Sequence, residues 1–543
     1  MIYVVEDDSS IRELIVYTLN SMNLKTVGFE KPSDFWDQLD SEIPTLVMLD
    51  IMLPEENGID ILKKLRKRVD TKALPIIMVT AKTSEYDRIA GLDNGADEKI
   101  LALCGLPDII QQNKGNISDE EDLFLHGTNC AMIIGLNCAD AELYSYKLLD
   151  NTGKGNVDDL KSAFDWCLMN NIRLVNLSFG TTHFKDKGII RQLVNQYANK
   201  GLIIIAATAN SGYTAFPASF SNVIGVKAKD TFNIDAEGLR DKGVDFAAPS
   251  EHKIWFGGND ITLQKSNSYA APYVTAMAGR LMMEQSWINN VWQIKKHLYQ
   301  KFRGKCVQYI PDWIEKGWIA GKVLKSKAEV YFEVAAKEEA DTVILYDKNE
   351  FNEYREKHIV YLGNEIAEQP DTQCFFWSRR NRKEQILCSR IKKENINIPV
   401  ILLKSGKEQD QIWWLTELRK SFEAEGYNAY AISTEQESVL YDLEYIPFAV
   451  DEDISNKIGD FLYWQTYYNQ SDLIICGIQE KESIGVEADI FVRIENGKKQ
   501  TGIQIYCDKI KKTQMCFGTL GEQQIKKVYD CLLTILTEDE DEE

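Results

Sequence analysis

His126, Asn210 and Ser268 lie far apart in the chain, yet their types and settings suit acyl-transfer chemistry. Ser268 opens the small-residue run SYAAPYVTAMAG, which reads as a helix. Backbone N–H groups and the positive end of that helix favour negative charge developing beside the hydroxyl. Asn210 ends the apolar run IIIAATAN, where a carboxamide can donate a second hydrogen bond to an oxyanion. His126, in HGTNCAMIIG, can take the hydroxyl proton as a general base. Taken singly, such a Ser is a cap, such an Asn a turn residue and such a His a structural group. The order His, Asn, Ser is what points to catalysis by a nucleophile. A second set is acidic: Glu6 and Asp7 after IYVV, and Asp50 after LVML, with Thr80 after IIMV. Carboxylates converging on one edge repel one another and imply a hard cation such as Mg2+.

Alternating strands and helices must position both sets. Apolar runs at 2–5, 25–29, 45–50 and 75–80 read as parallel strands, with helical patterns at 10–22, 58–69 and 84–94 between them. The alternation resumes with strands at 100–104, 172–178 and 202–207 and helices at 158–170, 188–199 and 269–284. In such α/β folds the working residues sit at the carboxyl ends of the strands.

The first stretch resembles the receiver domain of bacterial response regulators, on VVEDD, LVMLDIMLPEENGID and IIMVTAK, over about 1–99. The resemblance implies a flavodoxin-like fold, Asp50 as phosphoacceptor and Thr80 as the switch hydroxyl. It also implies an Mg2+ site of Glu6, Asp7, Asp50 and the Met52 carbonyl, and a sensor histidine kinase as partner. The chain departs from the pattern after Gly95: GADEKILALCGLPD has no Lys-Pro and no evident final helix, so the receiver reads as truncated. The second stretch, about 100–305, resembles subtilisin-like serine proteases. The matching segments are HGTNCAMIIG, NLSFG (Asn176 to Gly180), IIIAATANSGYTAFPASFSNVIGVKA, VDFAAPS and SNSYAAPYVTAMAG. The resemblance implies a parallel-sheet domain with Ser268 as nucleophile, His126 as base and Asn210 in the oxyanion hole, acting on a peptide without a metal. Ser266-Asn267 replaces the usual Gly-Thr before the nucleophile. Leu103, Cys104 and Gly105 occupy the places of the triad's Asp-Ser/Thr-Gly. Asp108 or an acid of 119–122 is then the candidate to orient the imidazole, whose loss would cost on the order of 10⁴-fold in rate.

Beyond about 306, apolar runs at 328–334, 342–346, 358–362, 399–403, 427–432 and 471–478 and helical patterns at 410–425 and 524–536 continue the α/β organisation. Gly406-Lys407 after a strand invites comparison with a phosphate loop, but Ile401 holds the first-Gly place and Glu408 the Mg2+-binding Ser/Thr place. The segment IPVILLKSGKEQDQIWWLTELRKSFEAEGYNAYAIST, with SDLIICGI, is similar to a clostridial peptide-maturation system protein, which implies a precursor peptide as substrate. Trp413 and Trp414 read as a pair split between core and rim, and TEDEDEE as a solvated tail. The chain of 543 residues carries 62 basic and 83 acidic side chains, and this net charge of −21 argues against a nucleic-acid partner held by bulk electrostatics. No run suits a membrane span, MIYVVEDDSS lacks a secretory pattern, and 11 scattered cysteines without CxxC fit reduced thiols. The expectation is a cytoplasmic α/β protein of three units, 1–99, 100–305 and 306–543. It acts as a serine endopeptidase or, alternatively, as a phosphorelay regulator or a peptide-binding pseudoprotease.

Overall fold

The structure, a computed structural model, describes residues 1–543 except 22–23, 51–52, 55, 69, 73, 80–118, 147, 149–154, 230–233, 235–242, 257–258, 264, 303–306, 371–373, 389–394, 407–409, 448–451, 481, 483, 497–499, 508–509, 519–520 and 539–543. Thr80, the Met52 carbonyl, the 84–94 helix, the 100–104 strand, Leu103, Cys104, Gly105, Asp108, Lys407 and Glu408 therefore lie outside the described residues. The chain divides into two units, one of residues 1–156 with 252–263, the other of 157–251 with 264–543.

In the first unit, β1 (Ile2–Val5), β2 (Thr26–Phe29), β3 (Leu46–Asp50) and β4 (Ile76–Val79) form a parallel sheet in the order β2-β1-β3-β4. Helices α1 (Ser9–Ser21), α2 (Pro32–Ser41) and α3 (Gly58–Lys67) connect them. The strands are nearly continuous apolar runs because parallel strands are covered on both faces. Tyr3, Val5, Phe29, Phe35, Val47, Leu49, Ile61 and Leu65 make the core. Gly28 lets α1 approach β2, since a Cβ there would meet the Arg12 and Val16 side chains at 2.8 and 2.9 Å. Helix α4 (Asp119–Asn137) also belongs to this unit and packs against β9 of a later antiparallel hairpin, β9 (His252–Phe256) with β10 (Asn259–Leu263).

The second unit begins with α5 (Val157–Met169), β5 (Leu174–Leu177), α6 (Lys187–Asn199), β6 (Ile203–Ala207), β7 (Val223–Lys229) and β8 (Phe246–Pro249). Strands β5-β6-β7-β8 pair in parallel and in sequence order, and α7 (Asn267–Glu284) lies across all four. Its alanines make that possible: Ala270, Ala271 and Ala278 are fully buried and let the helix backbone approach the sheet. Helix α8 (Val291–Lys301) follows, fixed by Lys295, whose ammonium lies 3.0 Å from Asp245 with both side chains wholly buried.

Next come β11 (Lys316–Ile319), β12 (Glu333–Val334), β13 (Thr342–Leu345), β14 (His358–Tyr361) and β15 (Phe376–Ser378), a parallel sheet in the order β12-β11-β13-β14-β15. Helix α9 (Arg379–Cys388) leads into the last sheet, which comprises β16 (Val400–Ser405), β17 (Ala429–Ser433), β18 (Glu444–Tyr445), β19 (Leu473–Gln479), β20 (Ile490–Asn496), β21 (Thr501–Cys507) and β22 (Ile510–Phe517). Its order is β18-β17-β19-β16-β20-β21-β22, parallel up to β20 and antiparallel beyond. Helices α10 (Gln411–Ala424), α11 (Glu452–Asn469) and α12 (Glu522–Glu538) complete it. One apolar core runs from Ile203 and Val274 through Trp292, Trp313 and Trp377 to Trp414 and Leu532. Trp413 and Trp414 are both buried in it rather than divided between core and rim. Thr537 and Glu538 of the acidic run close α12. The molecule is α/β throughout, with parallel sheets as its main layers.

Candidate active site

The carboxyl ends of β5 and β6 and the amino end of α7 meet in the second unit. Strand β5 ends at Leu177, so Ser178 is the first residue past it, and Asn210 stands three residues past β6. Helix α7 is capped by Ser266, whose Oγ accepts the Ser268 N–H at 3.3 Å. Asn267 pins this helix end to the sheet. Its Nδ2 donates to the Thr208 and Ala209 carbonyls at 3.2 and 2.9 Å, and its Oδ1 accepts the Ala228 N–H at 2.8 Å. The departure from Gly-Thr at 266–267 thus supplies a cap and an anchor.

Asn210 lies against the same helix end. Its Oδ1 accepts the Asn267 N–H at 2.9 Å, and its Nδ2 is 3.4 Å from the Ser266 hydroxyl. The Asn210 carboxamide and the Ser268 N–H thus converge on the Ser266 hydroxyl at the helix's positive end, and donors so grouped are of the kind an oxyanion needs.

Pro272 explains how Ser268 is held. A proline has no N–H, so the Ser268 carbonyl four residues earlier lacks its ordinary helical donor. The Ser178 hydroxyl donates to that carbonyl instead, at 2.7 Å. Ser178 Oγ accepts from Asn176 Nδ2 at 3.0 Å, and Asn176 Oδ1 accepts from the Thr275 hydroxyl at 2.9 Å. A polar chain thus links β5 to the helix that carries Ser268. Reading the residues in order identifies Asn176, Ser178 and Pro272 separately but misses their linkage; a proline four residues after the serine was the available signal.

Two segments beside this site are tied together. Thr181 and Phe216 exchange both backbone hydrogen bonds, at 2.9 and 2.8 Å, and Gly180 permits the approach, since a Cβ there would lie 2.7 Å from the Phe216 carbonyl oxygen.

His126 lies in the first unit, in the middle of α4, half-buried with Nε2 4.0 Å from the Cys130 sulfur. Asn210 and Ser268 belong to the second unit.

The acidic set is drawn together in the first unit. One carboxylate oxygen each from Glu6, Asp7 and Asp50 lies within 4.8 Å of the others, with Glu6 and Asp50 buried and Asp7 exposed. Burial first, and then the Asp50 charge, pushes the Glu6 carboxyl up to about 7, against the hydrogen bond it accepts from the Asp8 N–H at 3.2 Å. Oxygen donors at this spacing, with excess negative charge, fit a hard divalent cation such as Mg2+.

Comparison with known proteins finds two families along the chain. Residues 2–112 match the response regulator receiver domain, and residues 108–309 match the subtilase family. The chain is 38% identical over 99 residues to the phosphate regulon transcriptional regulatory protein PhoB of Escherichia coli (strain K12), covering 18% of this chain and 43% of that protein. It is 27% identical over 237 residues to the minor extracellular protease Epr of Bacillus subtilis (strain 168), covering 38% of this chain and 35% of that one. With alkaline elastase YaB of Bacillus sp. (strain YaB) it shares 29% identity over 238 residues, 41% of this chain and 61% of that one. The chain thus spans between about a third and three fifths of the length of these curated relatives. Among solved structures, the signal receiver domain of a DNA binding response regulator from Colwellia psychrerythraea 34H aligns at 23% identity and a TM-score of 0.17, over 18% of this chain and 80% of that one. The chain joins a response regulator receiver domain at its N-terminus to a domain of the subtilase family.

Proposed function

We propose that this protein is a serine endopeptidase of subtilisin type. The observation that carries the reading is the convergence of the Asn210 carboxamide and the Ser268 N–H on the Ser266 hydroxyl at the start of α7. Ser268 Oγ attacks the carbonyl carbon of a peptide bond as His126 takes its proton. The Ser268 N–H and Asn210 Nδ2 stabilise the oxyanion. His126 returns the proton to the leaving amine as the C–N bond breaks, and water then hydrolyses the acyl-enzyme. Asp108 or an acid of 119–122 orients the imidazole. The substrate is a peptide, and the likeness of 395–480 to a peptide-maturation protein favours a precursor peptide. On this reading the protein works in the cytoplasm, in three domains of 1–99, 100–305 and 306–543. Among the described residues, no helix is long and apolar enough to cross a membrane.

The same reading gives the receiver a regulatory role, with Asp50 phosphorylated by a sensor histidine kinase and Thr80 reporting the phosphoryl group. Bound Mg2+ would offset the charge that Asp50 gains. Glu6, Asp7 and Asp50 would hold it.

Treatment of the full chain with a fluorophosphonate probe tests the protease. Labelling that is present in wild type and abolished in Ser268→Ala is expected. Absence of Ser268-dependent labelling in a folded protein rejects the nucleophile.

A further inference from the structure

Helix α11 carries aromatic rings where a helix face turned to solvent ordinarily carries charge. Phe461, Leu462, Gln465 and Thr466 are buried, whereas Tyr463, Trp464, Tyr467 and Tyr468 occupy the other side, and Tyr467 is 47% exposed. These four positions are neighbours on a helix surface. Tyr463 and Tyr467 lie nearly parallel with centroids 6.3 Å apart, Trp464 and Tyr468 are 5.5 Å apart, and Trp464 and Tyr467 are 5.6 Å apart. A fifth ring, Tyr213, joins them at 5.7 Å from Tyr467.

Tyr213 places this face beside the candidate active site. It stands three residues after Asn210, a length of chain that reaches at most roughly 10 Å. The next residue, Thr214, donates its N–H to the Tyr468 carbonyl at 2.8 Å, which fastens the end of α11 to the 210–216 segment. That segment is held on its other side by the Thr181–Phe216 pair. The ring set therefore adjoins the segment that carries Asn210.

We propose that Tyr213 and the outer-face rings of α11, of which Tyr467 is the exposed one, are specificity-determining residues that receive a large apolar or aromatic side chain of the polypeptide substrate close to the bond cleaved. The proposal rests on the reading of Ser268 as nucleophile and names the substrate class that the site takes. Three observations favour this occupant: contiguous ring surface, the backbone tie to the Asn210 segment, and rings able to accept another aromatic in offset or edge-to-face contact. It also gives the C-terminal sheet a role in catalysis, because α11 is the crossover between its β18 and β19.

Binding separates this proposal from turnover. The full-length Ser268→Ala protein is titrated, by fluorescence anisotropy, with labelled peptides that differ only in Phe or Ala at one position, scanned along the peptide. At one position Phe is expected to bind about tenfold more tightly than Ala, the discrimination an apolar pocket supplies. Adding Tyr467→Ala or Tyr213→Ala should bring that ratio close to one, and Tyr467→Phe, which keeps the ring, should preserve it. A ratio unchanged in both alanine variants, or no Phe preference at any position, overturns the proposal. Fluorophosphonate labelling of wild type is scored beside it. Labelling without Tyr467-dependent preference removes the specificity role alone. Tyr467-dependent preference without labelling removes the nucleophile and leaves the recognition surface.

Discussion

Ser268, the proposed nucleophile, is anchored through its backbone: its N–H reaches Ser266 and its carbonyl reaches Ser178. The carbonyl receives the Ser178 hydroxyl because Pro272 offers no N–H. Ser178→Ala removes that donor from a largely enclosed carbonyl, at an expected cost of about 1–3 kcal/mol in denaturant unfolding. Fluorophosphonate labelling of Ser268 should slow in the same variant, and Ser178→Thr should restore both. If labelling is unchanged while stability falls, Ser178 supports the fold without positioning Ser268. The site's residue types were legible because each sits in a short segment of distinctive composition. The bonds between them were not, since Ser178 and Ser268 are ninety residues apart and meet only through the crossing of α7 over β5.

Strands were the easiest elements to read where both faces are covered. The fully buried runs of β6 and β17 stand out as uninterrupted apolar sequence. Strand β21 buries only alternate residues, and its polar positions, such as Gln504, hid it together with β20 and β22. Helix α11 escaped for a different reason: aromatics on its outer face blur the contrast between core and solvent sides that marks a helix. In the five-stranded sheet, His358 of β14 packs its ring against those of Trp313 and Phe375 and accepts the Phe375 N–H through Nδ1 at 2.9 Å. Burial lowers its pKa to about 4. The unfolded chain binds that proton near pH 6.5 and the folded chain only near 4, so the stabilisation is whole above about 6.5 and is lost as pH falls towards 4. Unfolding free energy should therefore decline between pH 6.5 and 4, and the decline should flatten in His358→Gln. An unaltered slope in that variant would assign the effect to other groups.

At the scale of the molecule, a reading along the chain and a grouping by contact divide the protein differently. Sequence motifs suggest three successive segments, whereas the contacts gather the subtilase sheet and both later sheets around one core. Motifs reveal boundaries of chemistry, but a shared core is built from residues such as Trp292, Trp313 and Phe375 that belong to no motif. For the receiver, the expected outcome is covalent labelling of Asp50 by acetyl phosphate in Mg2+, detected by mass spectrometry and absent in Asp50→Asn. A change in the rate of fluorophosphonate labelling under the same conditions would show that the two sites communicate, and failure to label Asp50 would reject the phosphorelay role.

The hairpin β9–β10 is counted with the receiver strands, although the chain on either side of it belongs to the other unit. It lies in the unit of the receiver strands and packs against α4, the helix of His126, yet the chain leaves β10 at Leu263 and enters α7 with only residues 264–266 between. Along the chain, three residues separate the hairpin on which α4 packs from the helix that carries Ser268. Lengthening that connection with a few glycines would leave every side chain of both candidate sites intact, and slower fluorophosphonate labelling in that variant would show that the start of α7 depends on how the chain enters it.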